Sequence, residues 1–200
     1  MIHELFPTVV GEYSLGREFT DKEKDAITSF DQMVHNVGNL NSVDKNVLDK
    51  RGLNTIKDTI LSSVKRYISE VVDPSNKIEP YITQSWINYT SNNQWHHKHN
   101  HSNSFLSGVL YVKADMSVDR ITFHDDKYNQ INICPKHYTR LNSSSWDIAV
   151  KTGDIFIFPS NLTHEVKVSK NNQPRISLSF NTFIRGNIGD KDYMTSLHLK

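Results

Sequence analysis

The stretch Trp95-His96-His97-Lys98-His99-Asn100-His101 contains four of the ten histidines of this 200-residue chain. Imidazoles this dense beside an apolar strand are costly to bury unless a metal or a neutral partner satisfies their ring nitrogens. Because side chains alternate along a strand, a His-x-His pair places both rings on one face. One distant histidine then completes a three-ligand metal site with open positions. The stretch therefore predicts a metalloenzyme whose site is carried by β-strands.

A later segment supplies the distant histidine. The run Gly153-Asp154-Ile155-Phe156-Ile157-Phe158-Pro159 has the composition of a buried strand, and His164 follows it. Residues 175–183 then alternate between two faces. The apolar face carries Ile176, Leu178 and Phe180, and the polar face carries Arg175, Ser177, Ser179 and Asn181. Such a strand is typical of a barrel whose apolar side packs against outer helices and whose polar side lines a cavity.

Composition and charge limit the classes of protein. The 23 basic and 22 acidic residues leave a formal charge of +1, so we expect no nucleic-acid or membrane partner. No apolar run is long enough for a bilayer, and residues 1–7 lack the basic and apolar regions of an export signal. The single cysteine, Cys134, excludes both an internal disulfide and a cysteine-rich zinc module. We therefore expect a cytoplasmic protein with one domain over residues 1–200.

The N-terminal part, about residues 18–74, is predicted to be a helical support. The sequence Thr20-Asp21-Lys22-Glu23 has the form of a capping box, which begins a helix. Apolar residues follow it at helical spacing: Ala26, Ile27, Phe30, Met33 and Val34. A second helix is predicted over residues 53–72, where Pro74 ends it. The polar residues 38–50 between the two helices are interpreted as a loop.

The remainder, about residues 78–186, is predicted to form the β core. The runs with a strand pattern are residues 82–89, 105–112, 120–124, 154–158, 165–168 and 175–183. Residues 129–146 lack a clear period and are interpreted as an insertion or lid loop. The expected fold is therefore mainly β with flanking N-terminal helices, an α+β protein built around a barrel.

Four motifs in this order resemble a known family. They are His99-x-His101, Ser107-Gly108-Val109-Leu110-Tyr111, the run 153–159 followed by His164, and Arg175-x-Ser177. Together they resemble the double-stranded β-helix, a jelly-roll or cupin-like barrel, of Fe(II)/2-oxoglutarate oxygenases, and in particular the prolyl-hydroxylase-like branch. The string from His99 to Tyr111 is similar to an oxygenase group common in marine bacteria and their phages. For a phage-encoded protein the expected compartment is the host cytoplasm.

The resemblance implies a set of site residues and an activity. Its metal ligands would be His99, His101 and His164, and its 2-oxoglutarate-binding residues would be Arg175, Ser177, Tyr111 and Asn88. An arginine on a strand, with a nearby hydroxyl, suits the far carboxylate of the co-substrate because a guanidinium offers a planar two-point contact. The implied enzyme is a dioxygenase that uses Fe(II), 2-oxoglutarate and O₂ to hydroxylate a C–H bond. Succinate and CO₂ would be its co-products, and a protein side chain or a small molecule its substrate.

The chain departs from the family at one ligand, because His101 occupies the position at which most relatives have Asp or Glu. His97-x-His99 is a second possible frame for the pair. Asp125-Asp126 is the nearest other source of a carboxylate. A three-histidine site carries one negative charge fewer, and zinc, nickel and copper also accept imidazole ligands.

Two other classes of protein remain as alternatives. A three-histidine cupin, acting as an isomerase, a cofactor-independent dioxygenase or a ligand-binding module, would fit the run 153–164. However, the first cupin motif requires a glutamate where Ser104 and Phe105 stand, and a cupin does not need Arg175. A metal-free virion protein would make the histidines incidental. Within the oxygenase hypothesis, Arg175 has a competing structural interpretation as the ion-pair partner of Glu165.

Single residues also have structural interpretations. Trp86 and Trp95 are interpreted as core or rim aromatics rather than substrate platforms, and His124 as a structural histidine.

Overall fold

The structure is a computed structural model that describes residues 1–29, 32–125, 131 and 133–200. Its helical elements are α1 (Asp21–Thr28), a 3-10 turn (Val47–Asp49), α2 (Asn54–Tyr67) and a π-helical turn (Ile68–Val72). The strands are β1 (Gly11–Ser14), β2 (Met33–His35), β3 (Leu40–Ser42), β4 (Ile78–Thr90), β5 (His96–His99), β6 (Leu106–Lys113), β7 (Arg120–His124), β8 (Ser145–Ala149), β9 (Asp154–Pro159), β10 (His164–Val166), β11 (Arg175–Ile188) and β12 (Leu197–Leu199).

The strands form two antiparallel sheets. The larger sheet has the order β1-β9-β6-β11-β4-β3-β2, with β12 paired to β11, and the smaller has the order β5-β10-β7-β8. Side chains from both sheets share one buried cluster: Val109, Tyr111, Ile121, Phe123, Val150, Phe156 and Phe158. The sheets therefore face each other, and the predicted double-stranded β-helix is confirmed.

The outer face of the larger sheet is covered by α2. A second buried cluster joins Ile56, Ile60 and Val64 of α2 to the outward-facing side chains of β6, β9 and β11. These strand residues are Leu106, Leu110, Ile155, Ile157, Ile176, Leu178 and Phe180. This apolar layer fixes the orientation of β11, since its alternate residues then have to face the other sheet.

The predicted second helix is confirmed, because α2 and the π-helical turn together cover residues 54–72. Val71, near its end, is 40% exposed although its spacing continues the apolar stripe of Ile56, Ile60 and Val64. The first helix is shorter than predicted. It has the expected capping box but ends at Thr28, and Met33 and Val34 belong to strand β2. Phe30 lies outside the described residues.

Residues 38–50 are not simply a loop, as the sequence suggested. They contain β3 and the 3-10 turn, and β3 pairs with both β2 and β4. The predicted loop over residues 129–146 ends two residues early, because β8 begins at Ser145. Residues 129, 130 and 132 lie outside the described part of the chain. Short strands such as β2 and β3 form because an existing edge, here β4, offers unpaired backbone groups, a factor that local sequence does not reveal.

Among the described residues, no helix is both long and apolar enough to cross a membrane.

Candidate active site

Three histidines converge between the two sheets. His99, His101 and His164 each bring one ring nitrogen into a group whose members lie within 4.8 Å of one another. The Nε2 atoms of His101 and His164 are 3.3 Å apart, and the ring centres of His99 and His164 are 4.4 Å apart. The structure thus brings together the three residues that the sequence predicted as ligands, two of them separated by more than sixty positions from the third.

Strand pairing produces this convergence. His99 is the last residue of β5 and His164 the first of β10, and the two are direct partners in the antiparallel ladder. His101 lies beyond the end of β5, contrary to the expectation of a His-x-His pair within one strand. Its backbone N–H donates to the carbonyl of Ser160, 2.9 Å away, so this segment is held against the end of β9.

Backbone carbonyls set the tautomers of two of the rings. His99 Nδ1 donates to the carbonyl of His97 at 2.6 Å, and His164 Nδ1 donates to the carbonyl of Leu162 at 3.0 Å. Each ring therefore has its proton on Nδ1 and a lone pair on Nε2. Metal-binding histidines are oriented in this way, with the second ring nitrogen bonded to a carbonyl or carboxylate.

Burial keeps these imidazoles neutral. It lowers the pKa of His164 to about 3 and that of His101 to about 4, with His99 adding to both effects. Burial also lowers the pKa of His99. At neutral pH the three rings are therefore bases with free lone pairs, and this donor set fits a borderline divalent metal.

His96 and His97 stand outside this group. The Nε2 atom of His96 lies 3.2 Å from Nδ2 of Asn36, and burial lowers the pKa of His96 to about 2. His97 Nδ1 is buried and has no hydrogen-bond partner. Since His97 does not join the cluster of ring nitrogens, the geometry favours the 99/101 frame over the 97/99 frame. Asp126, one of the two aspartates considered as an alternative carboxylate ligand, lies outside the described residues.

At the other end of the site, Arg175 is buried and makes no close ion pair. The residue is 3% exposed, and its Nε atom has no hydrogen-bond partner. Nη1 donates to the carbonyl of Arg120 at 3.4 Å, and Nη2 to Oγ1 of Thr90 at 3.5 Å, so both contacts are long. No ion pair joins Arg175 to a carboxylate in the described part of the chain. Burial lowers the pKa of this guanidinium, while the nearby Tyr111 and the buried carboxylate of Asp119 act in the opposite direction.

Glu165 does not neutralise Arg175. Its Oε1 accepts a hydrogen bond from Nε2 of His124, 3.1 Å away. The structural interpretation of Arg175 as the partner of Glu165 is therefore wrong, because the two side chains are committed elsewhere. His124 is a partner of Glu165, as expected for a structural histidine.

The remaining predicted residues form one row across three strands. Ser177 of β11 is the direct partner of Asn88 on β4 and of Tyr111 on β6. Tyr111 is 2% exposed, and burial raises the pKa of its phenol to about 12, so the phenol is neutral. Asn88 Nδ2 donates to Oγ of Ser179 at 2.8 Å, and this bond fixes the amide in the row.

One cavity contains both ends of the site. It is lined by the predicted ligands, by Arg175 and by the row of Asn88, Ser177 and Tyr111. Trp86 also lines it, with its ring centre 5.7 Å from that of His101. The sequence alone suggests a core or rim aromatic at this position. The signal that would have found it is its spacing, because Trp86 and Asn88 share one face of β4.

Comparison with known proteins agrees with this arrangement. Residues 84–181 match a family described as putative 2OG-Fe(II) oxygenase. This segment belongs to the 2OG-Fe(II) oxygenase family. It includes every residue that the sequence analysis assigned to the metal or the co-substrate. The family is named for Fe(II) and 2-oxoglutarate, which confirms the predicted family and its cofactors. No curated protein sequence matches the chain significantly.

Solved structures share the fold of this chain. HygX from Streptomyces hygroscopicus, with nickel and 2-oxoglutarate bound, is 8% identical with a TM-score of 0.60, covering 88% of this chain and 82% of HygX. The α-ketoglutarate-dependent epimerase SnoN from nogalamycin biosynthesis is 10% identical with a TM-score of 0.59, covering 90% and 81%. A Pseudomonas putida prolyl-4-hydroxylase is 12% identical with a TM-score of 0.53, covering 87% and 92%. The shared fold thus serves an epimerase as well as a hydroxylase.

Proposed function

We propose that the protein is an Fe(II)- and 2-oxoglutarate-dependent dioxygenase that hydroxylates a C–H bond of a protein side chain or a small molecule. Succinate and CO₂ are the co-products. The observation that carries the proposal is Arg175, a buried guanidinium that makes no close ion pair and whose Nε atom lacks a hydrogen-bond partner, in the same cavity as three neutral histidines. A site with these two ends is built for a ligand that has an acid group at one end and metal-binding oxygens at the other.

The energetics of Arg175 favour an anionic ligand. A buried charge costs several kcal/mol unless it is paired and hydrogen-bonded. The far carboxylate of 2-oxoglutarate would accept hydrogen bonds from the guanidinium fork, including the Nε atom that lacks a partner. Ser177 and Tyr111, adjacent to each other in the ladder, would add hydroxyl donors to the same carboxylate.

The three histidines would hold the metal through their Nε2 atoms. When bound, Fe(II) with 2-oxoglutarate supplies the oxidising chemistry that a side chain cannot provide. The chain's own contribution is positional: carbonyls of His97 and Leu162 fix the rings of His99 and His164, and the buried walls of the cavity exclude water.

The alternative is a three-histidine cupin metalloprotein that does not use 2-oxoglutarate. The absence of a carboxylate among the three converging residues favours it. The unpaired Arg175 favours the oxygenase instead, because a cupin of this type has no dianion to neutralise that charge.

Titration of 2-oxoglutarate into the anaerobic Fe(II) protein tests the proposal. We expect binding with a charge-transfer absorption band, and succinate formation when air is admitted. Arg175→Ala should weaken binding by about 30- to 3,000-fold, which corresponds to about 2–5 kcal/mol for truncating one partner of a buried charge pair. Arg175→Lys should recover only part of this loss, since an ammonium lacks the planar fork.

Metal content is the control, because Arg175 donates to Thr90 and Arg120 rather than to the histidine cluster. It should be the same in Arg175→Ala as in the unmodified protein. A protein that binds Fe(II) but shows neither the band nor succinate would refute the oxygenase and support the cupin.

A further inference from the structure

His101 is held differently from the other two predicted ligands. Backbone carbonyls accept from Nδ1 of His99 and His164, but within the described part of the chain no hydrogen bond joins Nδ1 of His101 to a partner. His101 also lies beyond the end of β5, so strand pairing does not fix it. Its backbone N–H donates to the carbonyl of Ser160 at 2.9 Å. The position of this ligand therefore depends on how the segment around Ser160 is held.

A cluster of three hydroxyl groups, on Ser104, Ser107 and Ser160, holds that segment. The hydroxyl oxygens of Ser107 and Ser160 are 2.8 Å apart, and Ser160 Oγ donates to Oγ of Ser104 at 2.8 Å. Ser104 Oγ donates to the carbonyl of Thr182 at 3.1 Å, and Ser107 Oγ donates to Oδ1 of Asn181 at 2.8 Å. The hydroxyl cluster thus joins the residue that follows β9 to β6, to β11 and to the segment before β6.

The hydroxyl cluster is buried beside the cavity and does not line it. Ser107 is 1% exposed, Ser160 2% and Asn181 6%, and the cavity lining contains none of the three. Ser107 and Asn181 are direct partners in the ladder between β6 and β11. Buried hydroxyls cost free energy unless they are hydrogen-bonded, whereas apolar side chains would pack there without such bonds. These polar residues can act on the site only through a neighbour, and the neighbour that they reach is the backbone of His101.

We propose that the hydroxyl cluster, together with Asn181, positions the metal ligand His101. It holds the carbonyl of Ser160 where this carbonyl accepts from the backbone N–H of His101, and so orients a ligand whose ring has no carbonyl partner. The inference rests on the proposed function, because it requires a metal at the three histidines. It extends that function to residues that touch neither the metal nor the co-substrate.

Titration of Co(II) into the metal-free protein tests the proposal, because Co(II) reports both affinity and ligand geometry. Ser160→Ala keeps the backbone carbonyl and removes the central hydroxyl of the cluster. It should weaken Co(II) binding by about three- to tenfold, less than the roughly 10- to 100-fold for a residue bonded directly to a ligand. The visible absorption band of bound Co(II) should also change, since the ring of His101 would no longer be held in one orientation.

Ser85→Ala is the matched control. Ser85 is 1% exposed, and its hydroxyl accepts from the backbone N–H of Leu48 at 2.9 Å. It is the ladder partner of Phe180, on the outer face of the larger sheet and away from the histidines. Chemical denaturation of the metal-free variants measures the general cost of losing a buried hydroxyl in each. Ser85→Ala should bind Co(II) with unchanged affinity and an unchanged spectrum.

A second pair of variants keeps the test decisive if Ser160→Ala does not fold. Ser104 is only half-buried, so its position has room for a methyl group. Ser104→Ala should weaken Co(II) binding, whereas Ser104→Thr, which retains the hydroxyl, should bind as the unmodified protein does. Normal affinity and spectrum in Ser160→Ala and Ser104→Ala, or an equal loss in Ser85→Ala, would overturn this proposal alone. An unmodified protein that binds neither Co(II) nor Fe(II) would instead contradict the proposed function.

Discussion

The two faces of strand β11 bury opposite kinds of side chain. On the outer face Ile176, Leu178 and Phe180 lie in an apolar cluster with α2. On the inner face Arg175 and Ser177, together with Ser179, line the cavity. Phe180 is completely buried and Arg175 is 3% exposed, so the faces differ little in burial. They differ in whether the buried groups find partners within the protein.

This difference separates stability from function. The outer cluster needs nothing beyond its own contacts, because apolar side chains gain free energy from burial alone. The inner face carries a guanidinium nitrogen without a partner, and the histidines opposite it are kept neutral by burial. Such groups cost free energy in the isolated protein and are satisfied only by a ligand, which is typical of functional sites.

The largest expected effect is on the outer face. Phe180→Ala should lower the free energy of unfolding by about 3–5 kcal/mol, because it removes a large buried side chain and leaves a cavity. Chemical denaturation of the metal-free protein measures the change. Arg175→Met, five positions away on the inner face, is the comparison and should leave the stability equal or higher, since it removes an unpaired buried charge. Equal losses in both variants would show that the two faces do not differ as described.

A smaller effect is expected on metal affinity when the site loses one ring. His164→Ala should weaken Fe(II) binding by more than about 100-fold, because it removes a metal ligand. Loss of a residue that only orients a ligand already lowers metal affinity by about 10- to 100-fold. Metal content after dialysis, followed by titration with Fe(II), measures the change. His97→Ala, in the same stretch of sequence but outside the cluster, should bind metal normally. Normal binding in His164→Ala would contradict its assignment as a ligand, and loss of binding in His97→Ala with normal binding in His101→Ala would move the ligand frame back by two residues.

The smallest effect concerns an ion pair at the edge of the outer layer. Arg17 donates to both carboxylate oxygens of Glu23, at 2.8 and 2.6 Å, and these bonds lower the pKa of Glu23 from 4.5 to about 2. Since the folded-state pKa is below the unfolded value, the stabilisation is complete above pH 4.5 and is lost as the pH falls towards about 2.

We expect this loss to be about 1–2 kcal/mol, the range for a helix cap that is also paired with a charge. Denaturation curves at a series of pH values give the slope. Glu23→Gln, which cannot titrate, should be less stable at neutral pH and should show a shallower slope over this window. Identical pH profiles for the two proteins would mean that the capping box contributes nothing measurable.

Much of the fold followed from local patterns. The alternation along residues 175–183 identified both faces of β11, and the apolar spacing over residues 53–72 identified α2. The same reasoning failed at Met33 and Val34, which continue a helical spacing but form strand β2 on the edge of the larger sheet. The spacing was misleading because tertiary pairing outweighs a weak local preference.

The sequence by itself determined which chemistry was available: the histidine-rich stretch, the order of motifs, and the alternation that put Arg175 on a polar face. Only the tertiary structure decided which of these residues meet. The pairing of His99 with His164, the bond between Glu165 and His124, and the contact of Ser107 with Ser160 all join residues that are distant in sequence. The physical reason is that periodicity acts within a strand or helix, whereas the register between strands is set by the packing of the whole sheet.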